Sequence, residues 1–334
     1  YLYSLSQYFK INFKELLLKN WIYGLIPIFI FSLIEIQSGI HLKGNYLNSL
    51  TKLEFLHANN FIPVGTFDNP NNLAIYLSLS LVFLAVLIRQ GKSLFFFSML
   101  FCVNFYLIIL TGSRIAIIFS FSLLSIIAII HLKTFLLVEM KTLYLKTIGA
   151  ILLFLLLFLF NSTDKVNRPE IEKRIQLLSE YHNRIKNDYG TNAYDSLSVN
   201  VRKNLVYSGL EFASSTYLIG VGSGSFEAKI KKGENKYPTF GIPNPHNYFI
   251  EVFAQYGILI TLFILGIFSF IGFNVLAKMF VNTMFEEGLF ILLLIVCYSL
   301  LSNANSSFLP LPLNWFIFSL IMIQFDKFCS RDGV

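Results

Sequence analysis

The chain has 334 residues, 55% hydrophobic and 16% aromatic but only 13% charged, with a mean hydropathy of +0.64. An ordinary soluble domain carries about 25% charged residues, so this composition excludes that class and points to a polytopic membrane protein. The net charge of +7 does not indicate nucleic-acid binding: no basic stripe with interleaved aromatics occurs, and Lys and Arg sit mostly at the ends of apolar runs.

The chain opens YLYSLSQYFK, with no initiating Met and no signal-peptide pattern, and the expectation is that further membrane segments precede Tyr1. Taken in order, runs of about 20 apolar residues bounded by charge or by Gly, Pro and Asn clusters predict membrane helices. Eight such runs fall near 21–37, 73–89, 93–110, 114–132, 143–160, 248–277, 288–302 and 313–328. The sixth is long enough to include an interfacial turn before Gly257. Cys102, Cys297 and Cys329 lie in or beside these runs at no spacing suited to zinc or a disulfide framework, and read as packing residues.

Lys and Arg mark cytoplasmic connections. Lys10, Lys14 and Lys19 precede the first run, Arg89 and Lys92 follow the second, and Lys133, Lys141 and Lys146 follow the fourth. Lys278 follows the sixth, and Lys327 and Arg331 close the chain. Every second connection is therefore basic. This register places segments 38–72, 111–113, 161–245 and 303–311 on the outer face and both ends of the chain inside. The expected organisation is all-α: N-terminal membrane helices over 1–160, an extracytoplasmic loop with amphipathic helices over 161–245, and C-terminal membrane helices over 246–334.

That topology collects the unusual residues on one face: GTFDNPNN at 65–72, TGSR at 111–114, the long loop, His246, and SNANSS at 302–307. In the first of these, Asn71 or Asn72 is placed to cap the helix that follows. Within the long loop, Ile171, Ile175, Leu178, Tyr181 and Ile185 recur at helical spacing and predict an amphipathic cap over the bundle. A second helical stretch carries Val201, Leu205 and Leu210 on one side, with Arg202 and Lys203 near its start. It runs into IGVGSGSF, where Gly220, Gly222 and Gly224 forbid a regular helix and permit close backbone approach.

Each signal has a plainer reading. A lone His at an interface is more often a structural hydrogen-bonder than a base. For Arg114 the plainer role is an interfacial anchor, although the outer end of a helix is where the positive-inside rule disfavours it. Arg202, on charge pattern alone, reads as a solvated surface residue, and GVGSGS lacks the βαβ context of a dinucleotide loop. Glu35 and Glu251 are exceptions to nearly charge-free spans, near their ends. His41, His57, His131 and His182 have no partner at recognisable spacing.

PNPHNYFIEVFAQYGILITLFIL resembles the PHN-x-x-L...E-x-G-x-x-G signature of the O-antigen ligase and O-antigen polymerase family, and GVGSGSF resembles that family's G-x-G-x-G-x-F element. LTGSRIAII is similar to its T-x-S-R-G helix start, and GTFDNPNNLAIYLSLSL to a segment where an Asn leads into a helix. Arg202 falls where the family has a loop arginine. The resemblance covers about residues 60–275. Gln255 stands where many members have an acidic residue, and Ile115 follows the Arg where a Gly is usual.

The resemblance implies a multi-pass cell-membrane glycosyltransferase with an extracytoplasmic active face, polymerising polyprenyl-pyrophosphate-linked repeat units of capsule, teichuronic-acid or O-antigen type. His246 is the implied base, with Arg114 and Arg202 on the pyrophosphate. Asn69, Asn72, Lys203, Gly222, Gly224 and Asn247 are expected to contact substrate. Its partners are a lipid-linked donor, a glycan acceptor, the bilayer and other polysaccharide-assembly proteins; neither metal nor cofactor is expected. The alternatives are a ligase, with the same chemistry on a lipid-core or protein acceptor, and a polysaccharide or lipid-linked-sugar transporter. Transporters tend to carry midplane charge and internal repeats, and neither is evident here.

Overall fold

The computed structural model describes residues 13–38, 40–41, 62–67, 69–89, 94–137, 193–239, 242–281, 285–303 and 312–330. Among these residues every regular element is an α-helix. In chain order they are α1 (Phe13–Ser38), α2 (Pro70–Arg89), α3 (Leu94–Thr111), α4 (Arg114–Leu137), α5 (Ala193–Ser215), α6 (Ser225–Lys231), α7 (Tyr248–Val281), α8 (Phe285–Leu301) and α9 (Pro312–Ser330). Helices thus occupy seven of the eight ranges expected from the apolar runs, and the fifth range, like the amphipathic cap over 171–185, lies outside the described residues. Among those described, three helices are long and apolar enough to cross a membrane: Glu15–Ser38, Pro70–Ile88 and Tyr248–Val281. The expected count of eight spans is therefore met only in part.

The chain divides into two compact units, one made of Tyr1–Asn161, Lys278–Leu301 and Phe316–Val334, the other of Ser162–Ala277 and Ser302–Trp315. In the first unit α2 is the hub, packing against α1, α3, α4 and α8. Its sequence explains why. Ala74, Ser78 and Ser80 are fully buried, and small side chains let helix backbones approach where lipid removes the hydrophobic drive for association. Between α1 and α2, Trp21 stacks on Tyr76 at 4.6 Å, meets Phe83 edge-on at 4.9 Å and donates its indole N–H to Ser80 Oγ at 2.8 Å. Asn104 on α3 donates to the Leu77 carbonyl at 2.8 Å, so a polar side chain fastens a second neighbour to α2. Cys102 and Cys297 are buried and unpaired, in keeping with packing roles.

In the second unit Val201, Leu205 and Phe212 of α5, Phe226 and Ile230 of α6 and Ala254 of α7 form one apolar cluster, with Val221 against it. Leu210 does not join it, and the expectation that it shares a face with Val201 and Leu205 is wrong: it is exposed. At about 100° per residue, nine positions place Leu210 on the side of the helix opposite Val201, and the buried stripe continues through Ser208 and Phe212 instead.

Segment 232–239 returns across α5. Asn204 donates to the Pro238 carbonyl at 2.8 Å, Tyr237 packs on Tyr207 at 5.3 Å, and Lys236 Nζ meets Glu211 Oε1 at 3.0 Å. The hydrogen bond to Glu211 raises the Lys236 pKa.

Candidate functional site

In the first unit the GTFDNPNN segment turns into α2. Asn69 caps that helix, its Oδ1 accepting the Asn72 N–H at 3.0 Å, so the cap is not the expected Asn71 or Asn72. The reason is Pro70: proline suits the first helical position, which fixes the cap one residue earlier. Asn72 is buried, and its Oδ1 has no hydrogen-bond partner.

Behind this turn lies a polar cluster that sequence spacing did not reveal. Glu35, 3% exposed, accepts the Val64 N–H at 2.8 Å and the Gly65 N–H at 2.6 Å on one oxygen, and its other oxygen lies 3.1 Å from His41 Nδ1. A carboxylate among apolar side chains is tolerated because three donor positions surround it.

TGSR forms the break between α3 and α4. Thr111 Oγ1 donates to the Ile108 carbonyl at 2.7 Å and accepts the Ser113 N–H at 3.3 Å, while the Ser113 carbonyl receives the Ile117 N–H at 3.0 Å to open α4. Arg114 is the first residue of α4 and is exposed. A cation at the N-terminal end of a helix opposes the macrodipole, so both the side chain and the helix end favour an anion there.

The second unit holds Arg202, Lys203, Gly222, Gly224, His246 and Asn247. Arg202 is half-buried on α5, next to the buried Val201. Lys203 is exposed and lies 5.6 Å from the centre of the Tyr207 ring, one turn on. His246 stands two residues before α7 in the left-handed region, with φ 52°, and its Nδ1 is buried. A non-glycine residue rarely takes that conformation, and such strain persists where the surroundings fix it.

Asn247 is the fixing element on one side. Its Oδ1 accepts the Ile250 N–H at 3.0 Å and its carbonyl accepts the Glu251 N–H at 2.9 Å, while Tyr248 N–H reaches the Ser302 carbonyl at 3.3 Å. Asn247, expected to touch substrate, thus caps α7.

The glycine turn is bound to the same helix further along. Val221 N–H donates to the Ala254 carbonyl and Gly222 N–H to the Gln255 carbonyl, each at 2.9 Å. Gly224 N–H donates to the Gln255 side-chain oxygen. Gly220, Gly222 and Gly224 have φ of 97°, 96° and 72°, and a Cβ on Gly220 would lie 2.6 Å from Gln255 O and Gly257 N. Close backbone approach is therefore what the first of these glycines provides.

Gly257 answers from α7. With φ 81° and ψ −176° it interrupts the helix, and a Cβ there would collide with the Leu218 and Ile219 carbonyls. The sequence places an interfacial turn before Gly257 in this run; α7 is helical from Tyr248 and breaks at Gly257 itself. From 248 to 255 the helix rises roughly 10 Å, which separates the His246 end from the residue that holds the glycine turn. Among the described residues no three His, Cys, Asp or Glu side chains gather to hold a metal ion.

Described residues whose regular elements are all helices, with apolar, membrane-length helices, a capped histidine junction and a glycine turn locked onto one long helix, define a class, a helical membrane protein. A family model described as O-antigen ligase matches residues 95–265. The chain belongs to that family. It is also 25% identical over 234 residues to the teichuronic acid biosynthesis protein TuaE of Bacillus subtilis (strain 168), an alignment covering 69% of this chain and 44% of that protein. The chain therefore spans less than half the length of this curated relative. No solved structure matches it at a significant level.

Proposed function

We propose that the chain is an extracytoplasmic glycosyltransferase that joins polyprenyl-pyrophosphate-linked oligosaccharide repeat units into a polymer. The observation that carries the reading is the fastening of the GVGSGSF turn to the PNPHN helix through Gln255 and Gly257, which makes one structural unit of two motifs separated by 16 residues. Family membership and the relative's part in teichuronic acid biosynthesis support the substrate class.

The chemistry follows from the donor. A sugar C1 bonded to pyrophosphate already has a leaving group, so the protein must take a proton from the acceptor hydroxyl and stabilise the departing charge. In this reading the acceptor oxygen bonds to C1 with inversion, the C1–O bond to pyrophosphate breaks, and its electron pair leaves with the lipid pyrophosphate. The imidazole of His246 takes the hydroxyl proton, a role for which a positioned base supplies about 10²- to 10⁴-fold.

Backbone amides at the start of α7 do little for the leaving group, because those of Tyr248, Ile250 and Glu251 already have acceptors. Negative charge therefore falls to arginine, whose planar fork matches phosphate oxygens. Arg202 is assigned to the pyrophosphate, with Lys203 beside it. Arg114 is assigned phosphate binding from its own setting at the start of α4. Asn69 and Asn72 are assigned to the saccharide, the buried Asn72 oxygen being an acceptor still to be satisfied. Gly222 and Gly224 let backbone meet substrate closely. This scheme calls on neither metal nor cofactor.

The family description favours a second reading, ligation of a finished chain to a lipid-core or protein acceptor by the same steps. Supplying purified lipid-linked repeat unit alone separates the two. A ladder of lengths supports polymerisation, and transfer only after a distinct acceptor is added supports ligation.

A further inference from the structure

The end of α5 leaves the helix in the pattern of a Schellman cap, with the Tyr217 N–H on the Ser214 carbonyl at 3.2 Å and the Leu218 N–H on the Ala213 carbonyl, but with non-glycine residues where glycine is usual. Tyr217 has φ 53° and Leu218 φ 66°, two consecutive non-glycine residues in the left-handed region, where the side chain crowds the backbone carbonyl. Leu218 N–H donates to the Ala213 carbonyl at 2.8 Å and Ile219 N–H to that of Thr216 at 3.1 Å. The turn is also tied to α7, whose Ile258 N–H donates to the Leu218 carbonyl at 2.9 Å. The cap and the bond from α7 hold this conformation, and the side chains it presents are apolar and exposed. Tyr217 is 91% exposed and Ile219 76%, with Leu218 exposed between them.

The kind of partner is set by what this tip is attached to. Ile258 follows the Gly257 interruption and opens the part of α7 with one apolar face outward, Leu259 at 79% and Phe263 at 67% exposed. From 258 to 281 that helix is about 36 Å long, enough for a hydrocarbon core of about 30 Å. The tip is thus bonded to the residue where the spanning stretch begins. No charged residue occurs from Phe212 to Phe226, so nothing in this stretch resists partial burial in lipid. Tyrosine, apolar in body and polar at its end, is suited to headgroup depth.

We propose that Tyr217, Leu218 and Ile219 form a membrane-inserting tip whose partner is the lipid of the leaflet that α7 enters at Ile258. The Tyr217 phenol lies among headgroups and Ile219 reaches the acyl chains. Because Gly220 follows immediately and is locked against Gln255 and Gly257, insertion fixes the glycine turn at the membrane surface. The proposal rests on α7 as a span and is independent of the reaction the chain carries out.

The test uses the full chain reconstituted in lipid vesicles, with tryptophan introduced separately as Tyr217→Trp and Ile219→Trp and the signal of the unaltered chain subtracted. Lys232→Trp, at the exposed end of α6, calibrates the aqueous response. The expected result is that the Ile219→Trp emission is blue-shifted relative to Lys232→Trp and loses most of its intensity in vesicles of acyl-brominated phosphatidylcholine, while aqueous iodide has little effect. Tyr217→Trp is expected to respond to brominated lipid more weakly. Iodide quenching of Ile219→Trp without bromine quenching overturns the proposal, since the tip is then in water. Quenching by neither also overturns it, since the tip is then covered by protein. If Tyr217→Trp fails to fold, Ile219→Trp decides alone, because Ile219 lies outside the left-handed region.

Discussion

Gln255 reaches across 31 positions of chain to Gly224: its side-chain oxygen accepts the Gly224 N–H while its amide nitrogen donates to Glu251 Oε1 at 3.4 Å. An amide is suited to this place because it accepts on one side and donates on the other. A carboxylate at 255 would face the buried Glu251 carboxylate one turn away and remove the amide donor between them. Gln255→Glu is therefore expected to destabilise the protein at neutral pH. Glu251→Gln combined with Gln255→Glu restores one donor and one acceptor, and is expected to recover most of the lost stability. Thermal unfolding of purified protein in detergent reads both outcomes; melting of Gln255→Glu equal to that of the parent would contradict the relay.

Gly257 carries a backbone conformation that is nearly exclusive to glycine, and its missing Cβ leaves room for the Leu218 and Ile219 carbonyls. Gly257→Ala is expected to cost at least about 1–3 kcal/mol from backbone strain alone, with the steric clash in addition. Gly266→Ala, in the same helix with open space around the added methyl, is expected to leave stability unchanged or raise it by up to about 1 kcal/mol. Melting of the two variants side by side checks the claim, and similar losses in both would remove the junction from the argument.

Glu35 gathers Val64, Gly65 and His41 around one carboxylate. Glu35→Ala leaves buried amides without their acceptor, at about 1–3 kcal/mol each, and Glu35→Gln keeps an acceptor and is expected to lose less. The ordering Ala worse than Gln in thermal unfolding is the expected result. Equal melting of both variants and the parent would show that the cluster contributes nothing.

Arginine and lysine carry the same charge but not the same fork. Arg202→Lys and Arg114→Lys are each expected to lower turnover by tenfold or more, on the order of 1.4 kcal/mol of transition-state stabilisation, while leaving melting near the parent's. Undiminished turnover in either variant would remove the phosphate role from that residue. Chelation with EDTA is expected to leave activity intact, and loss restored by a divalent ion would overturn the metal-independent scheme.

What could be read from the sequence was local. The glycines of GVGSGSF were legible because glycine is itself the signal for unusual backbone, whereas the break at Gly257 was not, since a lone glycine in an apolar run is often carried inside a helix. The Asn69 cap was also legible in principle, since a proline at the first helical position marks the residue before it; the cluster of asparagines drew attention one turn too far. Leu210 was misplaced because nine residues sound helical but amount to half a rotation. The Glu35 cluster and the Gln255 bridge were not legible. Beyond the nearby side chains His41 and Glu251, their partners are backbone groups about 30 positions away, and backbone groups leave no mark in residue identity.

The central claim, that His246 is the base of a glycan polymerase, is tested most directly by reconstituting the parent and His246→Ala with a lipid-pyrophosphate-linked repeat unit and resolving the products by size. The account predicts a ladder from the parent and a loss of about 10²-fold or more in His246→Ala, with melting of the variant near that of the parent. A full ladder from folded His246→Ala would contradict it and leave the histidine as the structural hinge of α7.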